Sequence, residues 1–382
     1  MFNKTFPALL LIVSFSCGKV VDKAAVDTVS YSIDTVSVDA KGHIFDLTYS
    51  LRISDYCQQD GYLYTYNEFD HGIDMIDLDR MEWVGRIPLQ KEGPDGTGSW
   101  ISSLKSMGNG IIFLAGPFGA HFNLEGKLVK KFDWNKISLE KGGLADKEFL
   151  YQQMANPSFD HLAFALFTDH STNRISLKKL NIADTLISTF EIDPNGNYKK
   201  YTLGDLTTYN KWDPRVFITS QQDRIIVSHE FSNDFYVYDP ESDHIQPISY
   251  SSLYTPSGAS ITTEGDLVNS TEDRIKALQF YLEQISFGPL VWDQQRKRYY
   301  RFSTSSTFGE EKREDRILPE TISANVFLSV FDECFNLLGE LPIPELNRKS
   351  PSSYFVKDGM LWVFENMDDE MGFVILAIHG NS

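Results

Sequence analysis

Two short stretches of the sequence set a carboxylate beside an imidazole: Asn67-Glu68-Phe69-Asp70-His71 and His229-Glu230-Phe231. Such a pair can move a proton as general acid and base, and the same donor atoms can hold a divalent cation. Glu68, Asp70, His71, His229 and Glu230 are therefore the candidate ligand-binding residues, with Glu365 from a third, weaker copy of the pattern. The competing reading is architectural, because a glutamate at a tight hairpin can simply accept backbone N–H groups, and residues that recur between repeats usually serve the repeat. Asp160-His161 and Asp169-His170 flank one strand and read as residues of solvated loops. The acidic run Glu365-Asn366-Met367-Asp368-Asp369-Glu370 offers oxygens to calcium but lacks the alternating spacing and the glycine of a calcium loop. Neither Cys57 nor Cys334 has CxxC spacing, no Cys/His cluster suggests a metal centre, and there is no Gly-x-Ser-x-Gly elbow. Metal ligands and catalytic residues therefore remain unassigned.

These residues sit in a repeat. "LYTYNEFDHGIDMIDLD" (63–79) and "IIVSHEFSNDFYVYDPE" (225–241) both read as a strand, Glu-Phe, a polar turn and a strand ending in Asp. Glu68 matches Glu230, Phe69 matches Phe231 and Asp77 matches Asp239, a constant offset of 162 residues. "MLWVFENMDDEMGFVILAI", from Met360, is the third copy, and weaker units fall at 110–134, 161–192 and 299–344. Asp- and Asn-rich corners at 77–79, 123–126, 181–184, 239–243 and 332–333 precede outer strands of alternating polarity. Six units starting near 55, 101, 156, 212, 287 and 350, each of four strands, predict an all-β, six-bladed β-propeller. The last unit has room for about three strands before Ser382, so "AVDTVSYSIDTVSV" (25–38) is expected to close it.

Two irregular stretches need placing. "KEGPDGTG" (91–98) resembles a phosphate loop, but no helix follows with the Gly-Lys-Ser/Thr ending that chemistry needs, so it reads as the corner between units one and two. In "STEDRIKALQFYLEQI" (270–285), Ile275, Leu278, Tyr281, Leu282 and Ile285 share one helical face, with Ser270 as N-cap. This helix is expected between blades four and five, capping one mouth of the ring. "EEKREDR" (310–316) reads as a mixed-charge, solvated loop.

Bulk composition agrees. Aromatic residues (27 Phe, 18 Tyr, 6 Trp) make up 13% of the 382 residues, which suits pleated, half-buried surfaces. The net charge of −18 opposes nucleic-acid binding. At the N-terminus, "FPALLLIVSF" (6–15) is too short to span a membrane but suits a signal-peptide core. Ser16-Cys17-Gly18 follows it and resembles a bacterial lipoprotein signal, although Ser14 stands where the common pattern has Leu. The expected organisation is a signal peptide over 1–17 ending at lipidated Cys17, a tether over 18–26 and one propeller domain over 27–382. Cys57 and Cys334 fall in different blades and are expected to stay unpaired.

The lipoprotein-like start, the Glu92-Gly93-Pro94 corner after the first blade and the "YYRF" strand (299–302) together resemble the TolB-like six-bladed propeller lipoproteins of Bacteroidetes, a domain family of unknown function. Members commonly carry Gly-Pro-Gly-Glu at the corner, where this chain has Gly93-Pro94-Asp95-Gly96. The resemblance spans residues 40–380 or so and implies a fold and a compartment, the outer membrane facing periplasm or cell surface. It carries over no catalytic residue. Three functions follow as expectations. The first is a non-enzymatic, lipid-anchored propeller that binds a peptide, a glycan or an envelope protein. The second is a hydrolase or lyase acting on a sugar or lactone, with calcium or another divalent ion held by carboxylates such as Glu68 and Glu230; outside that alternative no cofactor is expected. The third is a structural component of an envelope complex.

Overall fold

The computed structural model describes residues 29–169, 172, 174–204, 211–260, 270–311, 317–347 and 351–380. Cys17, the signal peptide, the tether, His170 and most of the loop 310–316 lie outside the described residues.

Six antiparallel sheets stand around a ring. From the innermost strand outward, blade 1 holds Ser54–Tyr56, Tyr62–Asn67, Gly72–Asp77 and Glu82–Pro88. Blade 2 holds Ser103–Gly108, Ile111–Ala115, Gly119–Asn123 and Leu128–Phe132; blade 3 holds Glu148–Met154, Leu162–Asp169, Arg174–Asn181 and Leu186–Ile192. Blade 4 is Val216–Gln221, Arg224–His229, Phe235–Asp239 and His244–Ile248. Blade 5 has a split inner strand, Ser286–Phe287 and Val291–Asp293, before Arg298–Phe308, Thr321–Asp332 and Leu337–Pro342. Blade 6 is Tyr354–Lys357, Met360–Met367 and Glu370–His379, completed by Ser30–Ser37 from the start of the described chain. That closing pair runs in unbroken register from Ser30↔His379 to Ser37↔Gly372, so the expected closure is present.

The strands are apolar at successive positions because each blade packs on a neighbour through both faces. Leu63 belongs to the core shared with blade 6, and the next residue, Tyr64, to the core shared with blade 2. Ile225 and Ile226 divide in the same way between the blade 3 and blade 5 sides of blade 4.

Antiparallel order also sorts the connections by face. Turns between second and third strands share one end of the sheets with the crossovers from an outer strand to the next inner strand; we call this the crossover face. The third blade departs from its expected start near 156, because its inner strand is Glu148–Met154. Asn156 then caps a short 3-10 turn, Pro157–Phe159, by accepting from the Ser158 N–H (2.8 Å), and this turn separates inner and second strands.

The corner at 91–98 is a strut between blades 1 and 2. Thr97 donates its N–H to Gln90 O (2.8 Å), while Asp95 accepts from Leu128 N and Lys127 Nζ (both 3.0 Å) on the outer strand of blade 2. Gly98 has φ +92°, and a Cβ there would stand 2.7 Å from Pro117. The helix α1 (Thr271–Gln284) lies in the crossover between blades 4 and 5, its N-terminus closed by Ser270 Oγ accepting from Asp273 N (3.1 Å). Cys57 is buried and Cys334 half-buried, and they lie in different blades.

Candidate functional site

The turn of blade 1 begins where its second strand ends. Glu68 is exposed, donates its N–H to Asp46 Oδ2 (3.1 Å) and has its side chain in water. Phe69 is 75% exposed. Asp70 is also exposed and pairs with Arg86 at 2.5 Å. His71 turns inward at φ +46° and is buried. Its Nδ1 lies 2.8 Å from Tyr66 Oη, and its Nε2 lies 2.8 Å from Thr97 Oγ1. Thr97 Oγ1 spends its proton on the Gln90 or Gly98 carbonyl, so it accepts from Nε2–H while Nδ1 accepts from Tyr66. Burial, with the Lys91 charge, lowers the His71 pKa and holds the ring neutral. His71 is therefore a bolt between turn and corner, not an open base.

The matching turn of blade 4 has a different fate. His229 and Glu230 are 1% and 4% exposed, and Phe231 is fully buried. The His229 ring lies 4.5 Å from Tyr198 and 5.2 Å from Tyr201, and its Nδ1 accepts from Phe231 N (3.0 Å). Burial first, then the charges of Arg301 and Lys200, depress its pKa to about 3. Glu230 is committed to Arg215: Oε1 accepts from Nε (3.2 Å) and Nη2 (2.7 Å), and Oε2 accepts from the Arg215 backbone N–H (3.0 Å). Beneath the turn, fully buried Arg301 donates to the carbonyls of Gly288 (2.9 Å), Asn233 (2.6 Å), Ser232 (3.1 Å) and His229 (3.2 Å). These bonds freeze the turn.

Glu365 does not occupy the matching place. It lies within the second strand of blade 6, opposite Gly372, because that hairpin runs on to a two-residue tip at Asp368 and Asp369, both with positive φ. Asp160-His161 falls between inner and second strands of blade 3, away from the crossover face, with its side chains 3.6 Å apart in solvent. The six candidates thus divide among blades 1, 4 and 6 and do not form one constellation.

The carboxylate–imidazole pair that the structure does build uses residues the sequence reading passed over. Asp74, fully buried on the third strand of blade 1, accepts from Asn67 Nδ2 (3.0 Å) and Arg86 Nε (2.9 Å) and lies 3.0 Å from His43 Nε2. His43 stacks on Trp83 with ring centroids 4.6 Å apart. One signal was available: an aspartate in a strand whose neighbours are buried on both faces must be paired. Because Arg86 also holds Asp70, this network sets the outer side of the blade 1 turn. On the inner side, Asp46, Tyr49, Arg52, Tyr66 and Glu68 line a shallow pocket, where Arg52 lies over the Tyr49 ring at 5.4 Å. Burial and the nearby Glu68 and Asp46 charges push the Tyr66 pKa up to about 12, so its hydroxyl stays a donor.

Exposed large apolar side chains mark the same region. Ile44 (78%), Tyr49 (53%), Phe69 (75%) and Trp100 (49%) occupy three connections that meet at blade 1 on the crossover face. Leu139, Leu253, Tyr254, Phe280 and Ile317 add to that face elsewhere. Among the described residues, the turns at the opposite end carry no exposed large hydrophobic side chain.

Fold and turns together define the class: a six-bladed propeller whose crossover face carries blade-specific turns. The chain belongs to the DUF4221 family, a domain of unknown function, whose model matches residues 25–342. A DUF4221 member from Bacteroides vulgatus is similar in structure, with TM-score 0.68 and 14% identity, over 94% of this chain and 99% of that one. A protein described as exported, from Bacteroides fragilis, has TM-score 0.53 and 9% identity, over 95% of this chain and 98% of that one. At these identities the likeness shows the fold alone. Comparison with curated proteins returns no match.

Proposed function

We propose that the protein is a lipid-anchored component of the cell envelope whose propeller binds a ligand, without transforming it, on the crossover face around blade 1. The observation that carries this reading is the group Ile44, Tyr49, Phe69 and Trp100, exposed on three connections that adjoin blade 1 on the crossover face. Exposed apolar surface beside polar groups marks interaction sites, and Glu68, Asp70 and Arg52 stand exposed on two of the same connections. Flat aromatic rings beside carboxylates suit a glycan or an extended peptide, and an envelope protein could present either surface. The metal-dependent hydrolase has less support. Glu230 spends its carboxylate on Arg215, and Glu68 belongs to a different blade. The anchor is supported by the apolar run before Ser16-Cys17, and no described helix is long and apolar enough to cross a membrane.

The test has two arms. The full chain, produced with its leader in a Bacteroidetes host, should carry a diacylglyceryl mass on an N-terminal Cys17; any other mature terminus overturns the anchor. On glycan and peptide arrays, wild-type protein should retain a ligand that the Phe69→Ala/Trp100→Ala double variant loses at unchanged melting temperature. A ligand held equally by both proteins would move the site elsewhere.

A further inference from the structure

We propose that the outer edge of the closing strand, Ser30–Ser37, joins two copies of this chain by antiparallel pairing about a two-fold axis at Ile33. The inference is independent of the reading for the crossover face and uses another part of the molecule. In a propeller every outer strand presents an open edge, and such edges are ordinarily guarded by bulges, prolines, lysines or a covering loop. The other five outer strands carry such guards. Those of blades 1, 2 and 5 pair with a register shift, at Met75/Ile76, His121/Phe122 and Val330/Phe331, and blade 2 adds Lys130 and Lys131. Pro247 stands within the outer strand of blade 4. In blade 3 the loop at Gly142 packs against the start of the outer strand, so closely that a Cβ there would lie 2.4 Å from Ile187 O. Ser30–Ser37 has an unbroken register and contains no proline, lysine or arginine. Among the described residues, no strand pairs with its outer edge.

It is also the longest outer strand, eight residues against five to seven, and six of the eight are exposed, Ile33 at 38%. Its ladder fixes which groups face outward. Val38 N–H bonds Met371 O (2.9 Å), so the even-numbered residues exchange bonds with 370–379, while Tyr31, Ile33, Thr35 and Ser37 turn N–H and C=O to the rim. Two residues beyond the strand the same edge is already in use: Asp39 donates to Met81 O (2.8 Å) and accepts from Trp83 N (2.9 Å) of blade 1. Within the strand, the outward Thr35 N–H donates to the neighbouring carboxylate, Asp34 Oδ1 (2.8 Å). A second copy suits this edge because the strand is complementary to itself. With Ile33 opposite Ile33, Tyr31 faces Thr35 and Ser32 faces Asp34, so outward N–H groups meet carbonyls and a hydroxyl meets the carboxylate. Sliding to the next register with the same outward groups would set Asp34 against Asp34, which like charge disfavours. The contact is smaller than a standard interface, so association is weak and concentration-dependent.

Cysteine cross-linking of the purified full chain under mild oxidation tests the pairing. Opposite residues in a bonded antiparallel pair have Cα atoms about 5.5 Å apart, a distance a disulfide spans. Ile33→Cys should therefore link two copies about tenfold or more faster than Leu186→Cys, an exposed position on the outer strand of blade 3, and faster still as the chain is concentrated. Tyr31→Cys and Thr35→Cys should link when mixed and hardly at all alone. Thr35→Pro, added to Ile33→Cys, should abolish the link at unchanged melting temperature, since the Thr35 N–H makes no ladder bond to 370–379. Thr35→Lys should do the same through its charge where the proline perturbs the strand. The proposal is overturned if Ile33→Cys links no faster than Leu186→Cys, if both Thr35 variants leave the link intact, or if Tyr31→Cys and Thr35→Cys link as readily alone as together.

Discussion

The turns at Glu68-Phe69 and Glu230-Phe231 are written in nearly the same residues, yet one is water-facing and the other is core. Phe69 is 75% exposed, whereas Phe231 is fully buried with its ring 5.0 Å from Tyr281 of α1 and 6.2 Å from Tyr201. The cause lies outside the turns. Blade 4 is overlaid by two insertions, the small hairpin of Leu203–Gly204 and Lys211–Trp212 and the helix α1, whose apolar faces close over Phe231. Blade 1 has no such cover, and the crossover beside it leaves Ile44 and Tyr49 exposed. A repeat unit fixes the hairpin, and whatever is stacked on the hairpin decides whether its tip stabilises the fold or meets a ligand.

Substitution should break the comparison most sharply at the phenylalanines. Phe231→Ala should cost about 3–5 kcal/mol, the range for removing a large buried aromatic side chain, whereas Phe69→Ala should change stability by under ~0.5 kcal/mol. Denaturant unfolding of both variants reads this; equal losses would mean that the two tips share one environment.

A pH series should sharpen it next. His229 is neutral in the fold with its pKa near 3, against about 6.5 when unfolded. As pH falls through that window, the unfolded chain takes up a proton that the folded chain refuses, so stability drops. The effect is on the order of 3 kcal/mol between pH 6.5 and pH 4. His229→Gln should flatten that part of the stability profile; an unchanged slope would show that the ring is already charged in the fold.

The smallest contrast is expected at the glutamates. Glu230→Gln weakens the pair of a buried carboxylate with the solvent-exposed Arg215 guanidinium and should cost about 1 kcal/mol, while Glu68→Gln should be neutral for stability. Chemical denaturation of both variants decides whether the matched carboxylates differ as their surroundings imply.

Much of the fold was legible in the sequence. The offset between 63–79 and 225–241 reflects a real repeat, the strand at 30–37 closes the ring, and the helix stands at 271–284 behind its Ser270 cap. These are local signals: alternation, turn chemistry and capping act over a few residues. The start of blade 3 was not legible, because the 3-10 turn at 157–159 interrupts the regular strand spacing. The candidate site was legible only as residue types. Glu68, Asp70, His71, His229, Glu230 and Glu365 are alike on paper, yet burial and partners separate a solvent-facing pair, two neutral buried imidazoles, a spent carboxylate and a strand residue.

By itself the sequence determined where strands form, which turns join them and that blades must stack, since second strands with apolar residues at successive positions, such as 225–227, have no stable state with one face in water. Only the tertiary structure decided which tips stay wet and which histidine loses its proton affinity. Those properties depend on neighbours tens to hundreds of residues away, brought within a few ångströms by packing that no local pattern encodes.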